Sequence, residues 1–299
     1  MSAATQTAMD LRGAGGTRKT VDTLVRVLVY ASAVISLIPL VWILVSIVSK
    51  GLPVILSAEW WTSDLAGTTD RRAGGGALHA IVGTIEIGLI TAVIAVPIGI
   101  LGAIFLIEYA RGTKAARVVS FMVDILSGIP SIVAALFVFA LLITVLGLGR
   151  SVIAAAISLV LLMLPTVLRS TEEMLKLVPD SLREASYALG VPKWKTILKV
   201  VVPTAFSGIA TGVVLGLARV MGETAPLLIL VAYARNLYWS PTSPTIGTLP
   251  TMINTGRDVA ETLPGYDRVW GAALTLILLV MGLNLLARAI ARASKLKDK

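Results

Sequence analysis

Two arginines stand inside long apolar runs, where a charge needs a compensating group. Arg169 closes Leu164-Pro165-Thr166-Val167-Leu168-Arg169, and Arg219 lies in Ala218-Arg219-Val220-Met221-Gly222-Glu223-Thr224-Ala225-Pro226. A cation in a lipid-like segment is costly unless it faces protein, water or an opposite charge. Glu223 follows Arg219 at i+4, so on a continuous helix the two share one face. A structural ion pair is one reading of them. The other is an anion pathway, in which the planar guanidinium fork attracts an oxyanion and a nearby carboxylate moderates the attraction. Glu86, inside another apolar run, is a weaker candidate and needs a partner facing the bundle.

Other chemistry is excluded by what the chain lacks. It has one histidine, His79, and no cysteine, so it has no Cys/His metal set and no thiol nucleophile. The sequence has no H-E-x-x-H and no G-x-x-x-x-G-K-[ST]; Gly74-Gly75-Gly76 lacks the lysine that a phosphate loop requires. We expect no catalytic residue, no metal and no cofactor on this chain. His79 and Glu59-Trp60-Trp61 read as groups at a membrane–water interface.

The elements that position the arginines are membrane spans. Of the 299 residues, 56% are hydrophobic and 14% charged. Uncharged runs at Val27–Ser49, Ile87–Ile107, Ile125–Gly149, Ser151–Leu168, Val200–Ala218 and Val269–Ala287 are each long enough to cross the bilayer as a helix. The expected order is a cytoplasmic tail over 1–24, disordered over 1–20, then a first span over 25–48, an external loop over 49–77, a core over 78–287 and a basic tail over 288–299. The net charge of +9 follows topology: most Lys and Arg fall at the two ends and in the loops on the same side, including Lys193, Lys195 and Lys199. Both termini are therefore expected in the cytoplasm, and the basic character is no nucleic-acid footprint.

Ser181–Pro203 interrupts the apolar sequence and still reads as folded. Ser181 and Glu184 have capping-box spacing, Gly190 suits a left-handed helix stop, and Pro192 suits the first turn of a second helix. This predicts a short helix–turn–helix between two spans. Gly128 and Pro130 predict a kink in the third span, and Pro226 another after Arg219. Gly208, Gly212 and Gly216 form a stripe on which a neighbouring helix can pack closely.

The loop resembles the EAA loop of ABC importer permeases: Glu184-Ala185-Ser186, then Gly190, then Val200-Val201-Val202-Pro203, with Ser186 in place of the usual third alanine. The stretches GGGALHAIVGT (74–84), LSGIPSIV (126–133), LPTVLR (164–169) and ARVMGETAP (218–226) are similar to those of PstA-type permeases of bacterial phosphate importers. The resemblance implies an all-α integral membrane fold with six transmembrane helices, that of a type I ABC importer permease, with a cytoplasmic EAA coupling loop over 175–203. It implies a multi-pass protein of the bacterial inner membrane. The implied partners are a PstC-type permease, an ATPase dimer that holds the ATP and Mg, and an external phosphate-binding protein. Ser181, Glu184, Ala185, Gly190 and Pro192 would dock the ATPase. Arg219 with Glu223 would lie toward the outside of the phosphate pathway and Arg169 near its inner mouth. An importer of another oxyanion (sulfate, molybdate or phosphonate) remains open as an alternative, as does a membrane scaffold or enzyme.

Overall fold

In lipid, backbone polar groups can satisfy only one another, so the apolar runs become long helices. The computed structural model describes residues 15–238 and 240–296. The chain divides into two compact units, 1–49 and 50–299. Over its described residues the first unit is the greater part of helix α1 (Gly15–Ile55), which continues through Pro39. Residues 15–20, expected to be disordered, are helical, as is the rest of the tail to 24; residues 1–14 lie outside the described residues. The helix also runs past the expected end of the first span at 48.

In the second unit, a short helix α2 (Ala58–Thr62) precedes α3 (Leu78–Ile104), which a π-helical segment, Phe105–Tyr109, prolongs. The third expected span is broken. Helix α4 (Lys114–Ser127) and helix α5 (Ser131–Val138), with its π-helical extension Phe139–Val145, meet at 106°. Gly128 closes α4, and Pro130, at φ −59° and ψ 139°, leads into α5. Extended backbone before a helix cannot continue the previous one, so the break is a corner and not a gentle kink.

Helix α6 (Val152–Lys176) leads through a turn to α7 (Asp180–Ala188). Helix α8 (Lys193–Thr196), the π-helical segment Ile197–Val201 and α9 (Val202–Met221) then run on as one rod, with Pro203 in the first turn of α9. A proline there removes an N–H that the preceding π turn already leaves without its usual partner. Helix α10 (Ala225–Leu230) follows a break, and Pro226 sits in its first turn. Strands β1 (Ala232–Tyr233) and β2 (Thr245–Ile246) pair in parallel, α11 (Leu249–Gly256) follows, and α12 (Pro264–Leu296) takes in most of the expected basic tail. Residues 297–299 of that tail lie outside the described residues. Among the described residues, five helices are long and apolar enough to cross a membrane, six if the bent pair is one span.

Helix association in lipid depends on close packing more than on water exclusion. Ala95, Ala154, Ala155 and Ala156 are buried with Leu159, Met163 and Val167 in a core between α3, α5, α6, α9 and α10. The expected glycine stripe packs on α6. A Cβ on Gly212 would lie 2.0 Å from the Ser170 hydroxyl, and one on Gly208 2.0 Å from the Met174 sulfur.

At the end of the bundle away from α7, two groups expected at the interface are core. Trp60 is 1% exposed and donates its indole N–H to Thr275 Oγ1 at 2.9 Å. His79 is 2% exposed, with Nε2 3.3 Å from the Tyr233 hydroxyl. Their partners lie far along the chain, which is why local hydropathy misplaces them. Burial pushes the Tyr233 phenol up to about 12.

Candidate functional site

The α7–α8 hairpin is built from its turn outward. Gly190 has φ 74°, a conformation that disfavours a side chain, although no atom stands where its Cβ would be. The Gly190 N–H donates to the Tyr187 carbonyl at 2.9 Å, and the Val191 N–H to the Ser186 carbonyl at 3.2 Å. Ser186 and Thr196, both buried, share a hydroxyl hydrogen bond of 2.9 Å that closes the two legs. The expected capping box is absent. Helix α7 starts at Asp180 with Pro179 before it, so Ser181 is already inside the first turn and no side chain caps that end. Pro179 fixes the entry, and Asp180 places a carboxylate beside the first free N–H groups. Ser181, Glu184, Ala185, Gly190 and Pro192 are all exposed, as are Leu182, Tyr187, Leu189 and Trp194. Leu189, at 83%, is a large apolar side chain presented to a partner or to solvent.

Beneath the hairpin lies a buried ion pair. Arg183 Nη2 is 2.9 Å from Glu108 Oε1, with side-chain exposures of 12% and 5%. Arg183 also donates to the carbonyls of Val178 at 2.6 Å and Leu175 at 3.0 Å, and to Asp180 at 3.1 Å. Lys193 Nζ donates to the Glu108 carbonyl and lies 4.9 Å from the Tyr109 ring centroid. Sequence reasoning misses Glu108 because its partner is 75 positions away; only the i, i+3 spacing of Asp180 and Arg183 is readable locally.

Arg169, on the last turns of α6, is held from two sides. It pairs with Asp124 of α4 at 2.6 Å and with Glu172 at 2.5 Å, and donates to the Ser120 carbonyl at 2.9 Å. Glu172 in turn binds Lys176 at 2.7 Å. The two carboxylates differ in exposure: the Asp124 side chain is 65% exposed and that of Glu172 8%. The Arg169, Glu172, Lys176 spacing at i+3 and i+4 is the signal that could have found this network from sequence.

Arg219 and Glu223 are not the helical pair that their spacing predicts. Helix α9 stops at Met221, Gly222 caps it, and Glu223 is beyond the helix. Among the described residues no ion pair joins them; Arg219 is exposed and Glu223 half-buried. The Gly222 N–H bonds back to the Arg219 carbonyl and closes the helix there. Arg169 and Arg219 are not brought together. Glu86 is 3% exposed, and neither carboxyl oxygen has a hydrogen-bond partner among the described residues. Gly128, Pro130 and Pro226 stand at helix breaks, as described above. Among the described residues no cluster of His, Cys, Asp and Glu could hold a metal ion.

Comparison with known proteins adds what one chain cannot. Residues 95–296 match the family described as binding-protein-dependent transport system inner membrane component. The chain is 47% identical over 282 residues to the phosphate transport system permease protein PstA of Mycobacterium leprae, covering 94% of this chain and 92% of that one. It is 49% identical over 261 residues to PstA 1 of Mycobacterium tuberculosis, covering 87% and 85%. Among solved structures, a bacterial alginate ABC transporter gives a TM-score of 0.63 at 17% identity, covering 93% of this chain and 96% of that one. The MetNI methionine ABC transporter in an inward-facing conformation gives 0.55 at 22% identity, covering 71% and 91%. At these identities the structural likeness is one of fold.

Proposed function

Because the chain belongs to the family of binding-protein-dependent transport system inner membrane components, we propose that it is the PstA-type permease of a phosphate ABC importer. The fold is that of a type I importer permease, and the chain is a transport subunit, not an enzyme. What carries the substrate assignment is identity near one half, across nearly the whole chain, to relatives named for phosphate transport.

The remaining parts are what membership of such an importer and the bias of Lys and Arg imply. A second permease of the PstC type completes the pathway, two ATPase subunits bind ATP and Mg, and an external protein delivers phosphate. The chain sits in the bacterial inner membrane with both termini and the α7–α8 hairpin in the cytoplasm. The exposed apolar side chains Leu182, Tyr187, Leu189 and Trp194 suit the hairpin to seat on an ATPase. ATP closes the ATPase dimer, the hairpins move with it, and the spans open outward to receive phosphate.

Arg219 is exposed on this chain and has no ion pair among the described residues, so it can attract a phosphate dianion in a cavity shared with the second permease. Arg169 is already paired with two carboxylates, Asp124 and Glu172. Phosphate competes there with both carboxylates, and the solvated Asp124 is easier to displace than the enclosed Glu172. Exchange of one anion for another keeps the guanidinium from holding phosphate too tightly to release it. Purification of the complex followed by mass spectrometry of its companions tests the assignment. An ATPase and a second permease are expected; a chain that purifies alone and takes up sulfate or molybdate in preference to phosphate would overturn it.

A further inference from the structure

The hairpin is tied to the bundle by three routes. Through α8 it is continuous with α9 as one rod. To α6 it is joined by the turn that ends at Pro179. The third route is not covalent. All five N–H donors of Arg183 are engaged, two of them on Glu108 Oε1 at 3.1 and 2.9 Å, the others on Val178, Leu175 and Asp180. From the other leg, Lys193 reaches the Glu108 backbone carbonyl and lies over Tyr109. Both legs therefore converge on the last π-helical turn of the second span. A π turn at a helix end leaves carbonyls without helical partners, and one of these is the oxygen that Lys193 takes.

Resting on the importer reading above, we propose that Glu108 is a positioning residue for transport: with Arg183 it fixes the foot of α3 to the hairpin, so that displacement of the hairpin moves α3 directly. Helix α3 can pass that motion on. Its Gly99 and Gly102 lie against Val167 and Leu168 of α6, where a Cβ on Gly99 would come within 2.8 Å of Val167. The route bypasses the turn at Leu177–Pro179, which would otherwise absorb part of the movement. A guanidinium with every donor satisfied in a buried site is geometrically fixed, unlike an exposed ion pair, whose side chains sample many arrangements.

The test uses the full complex in proteoliposomes, with phosphate uptake and ATP hydrolysis measured together and both normalised to assembled complex. Glu108→Gln retains an acceptor for Arg183 but loses the charge. Arg183→Lys retains the charge but loses the fork. Each is expected to assemble and to lower phosphate taken up per ATP hydrolysed by about fivefold or more. A bolt that only stabilises the fold would reduce the amount of complex and leave that ratio unchanged. An unchanged ratio in either assembled variant overturns the proposal alone, and so does loss of assembly in both. A wild-type complex that hydrolyses ATP without taking up phosphate overturns the importer reading and this proposal with it.

Discussion

Arg219 and Glu223 are separated by a helix end: α9 stops at Met221, and no ion pair joins the two among the described residues. A structural pair would make Arg219 dispensable once both charges were removed. An exposed arginine without that pair faces water or an anion from outside its own bundle. We predict that Arg219→Gln leaves assembly intact and lowers phosphate uptake by about 10- to 100-fold, the weight of one charged hydrogen-bonding group. Adding Glu223→Gln should restore nothing, and Arg219→Lys should recover part. Uptake normalised to assembled complex is the measurement; near-normal uptake by the double variant would remove Arg219 from the pathway.

Asp124 competes with phosphate for Arg169 if the network at the foot of α6 is a release site. Asp124→Asn removes the more solvated of the two carboxylates and leaves Glu172 in place. The variant should hold phosphate more tightly and release it more slowly. The apparent KM and the maximal uptake rate should both fall, each by up to about fivefold for a pair this exposed. An unchanged KM with a reduced rate would make the pair structural.

Gly190 tests the hairpin. Its φ of 74° is costly for a β-branched residue although space is open around it, so Gly190→Val strains the backbone without creating a clash. Reshaping the turn should cost about 1–2 kcal/mol and weaken capture of the ATPase in detergent, while the chain still inserts in the membrane. Full ATP-driven uptake by Gly190→Val would refute the docking role.

Topology is accessible because the wild-type chain has no cysteine. Single cysteines at the exposed positions Ala66 and Thr242 should react with an impermeant maleimide in intact cells. Those at Thr113 and Lys195 should react only after permeabilisation, and external labelling at Lys195 would contradict both the orientation and the dock.

Much of the fold was legible because a bilayer imposes one strong rule. The six apolar runs, the glycine stripe, the turn at Gly190 and the position of the bend at Gly128–Pro130, though not its sharpness, follow from local sequence. Spacing failed where a helix ended earlier or later than its pattern. Arg219 and Glu223 match a helical repeat that Gly222 interrupts, and Ser181 matches a cap that Pro179 pre-empts. Tertiary partners were beyond reach for another reason. Glu108 with Arg183, Trp60 with Thr275 and Asp124 with Arg169 meet across helices, and nothing local to either residue announces the other. Of the candidate site, sequence identified the arginines but not which of them is already occupied.

Uptake of radiolabelled phosphate tests the central claim most directly. The chain would be reconstituted in proteoliposomes with its second permease and ATPase, with binding protein on the receiving side. The account predicts accumulation that requires ATP, survives an excess of sulfate or molybdate and is lost with Arg219→Gln. Phosphate transport that proceeds without ATP hydrolysis, or that sulfate or molybdate abolishes in competition, would contradict it.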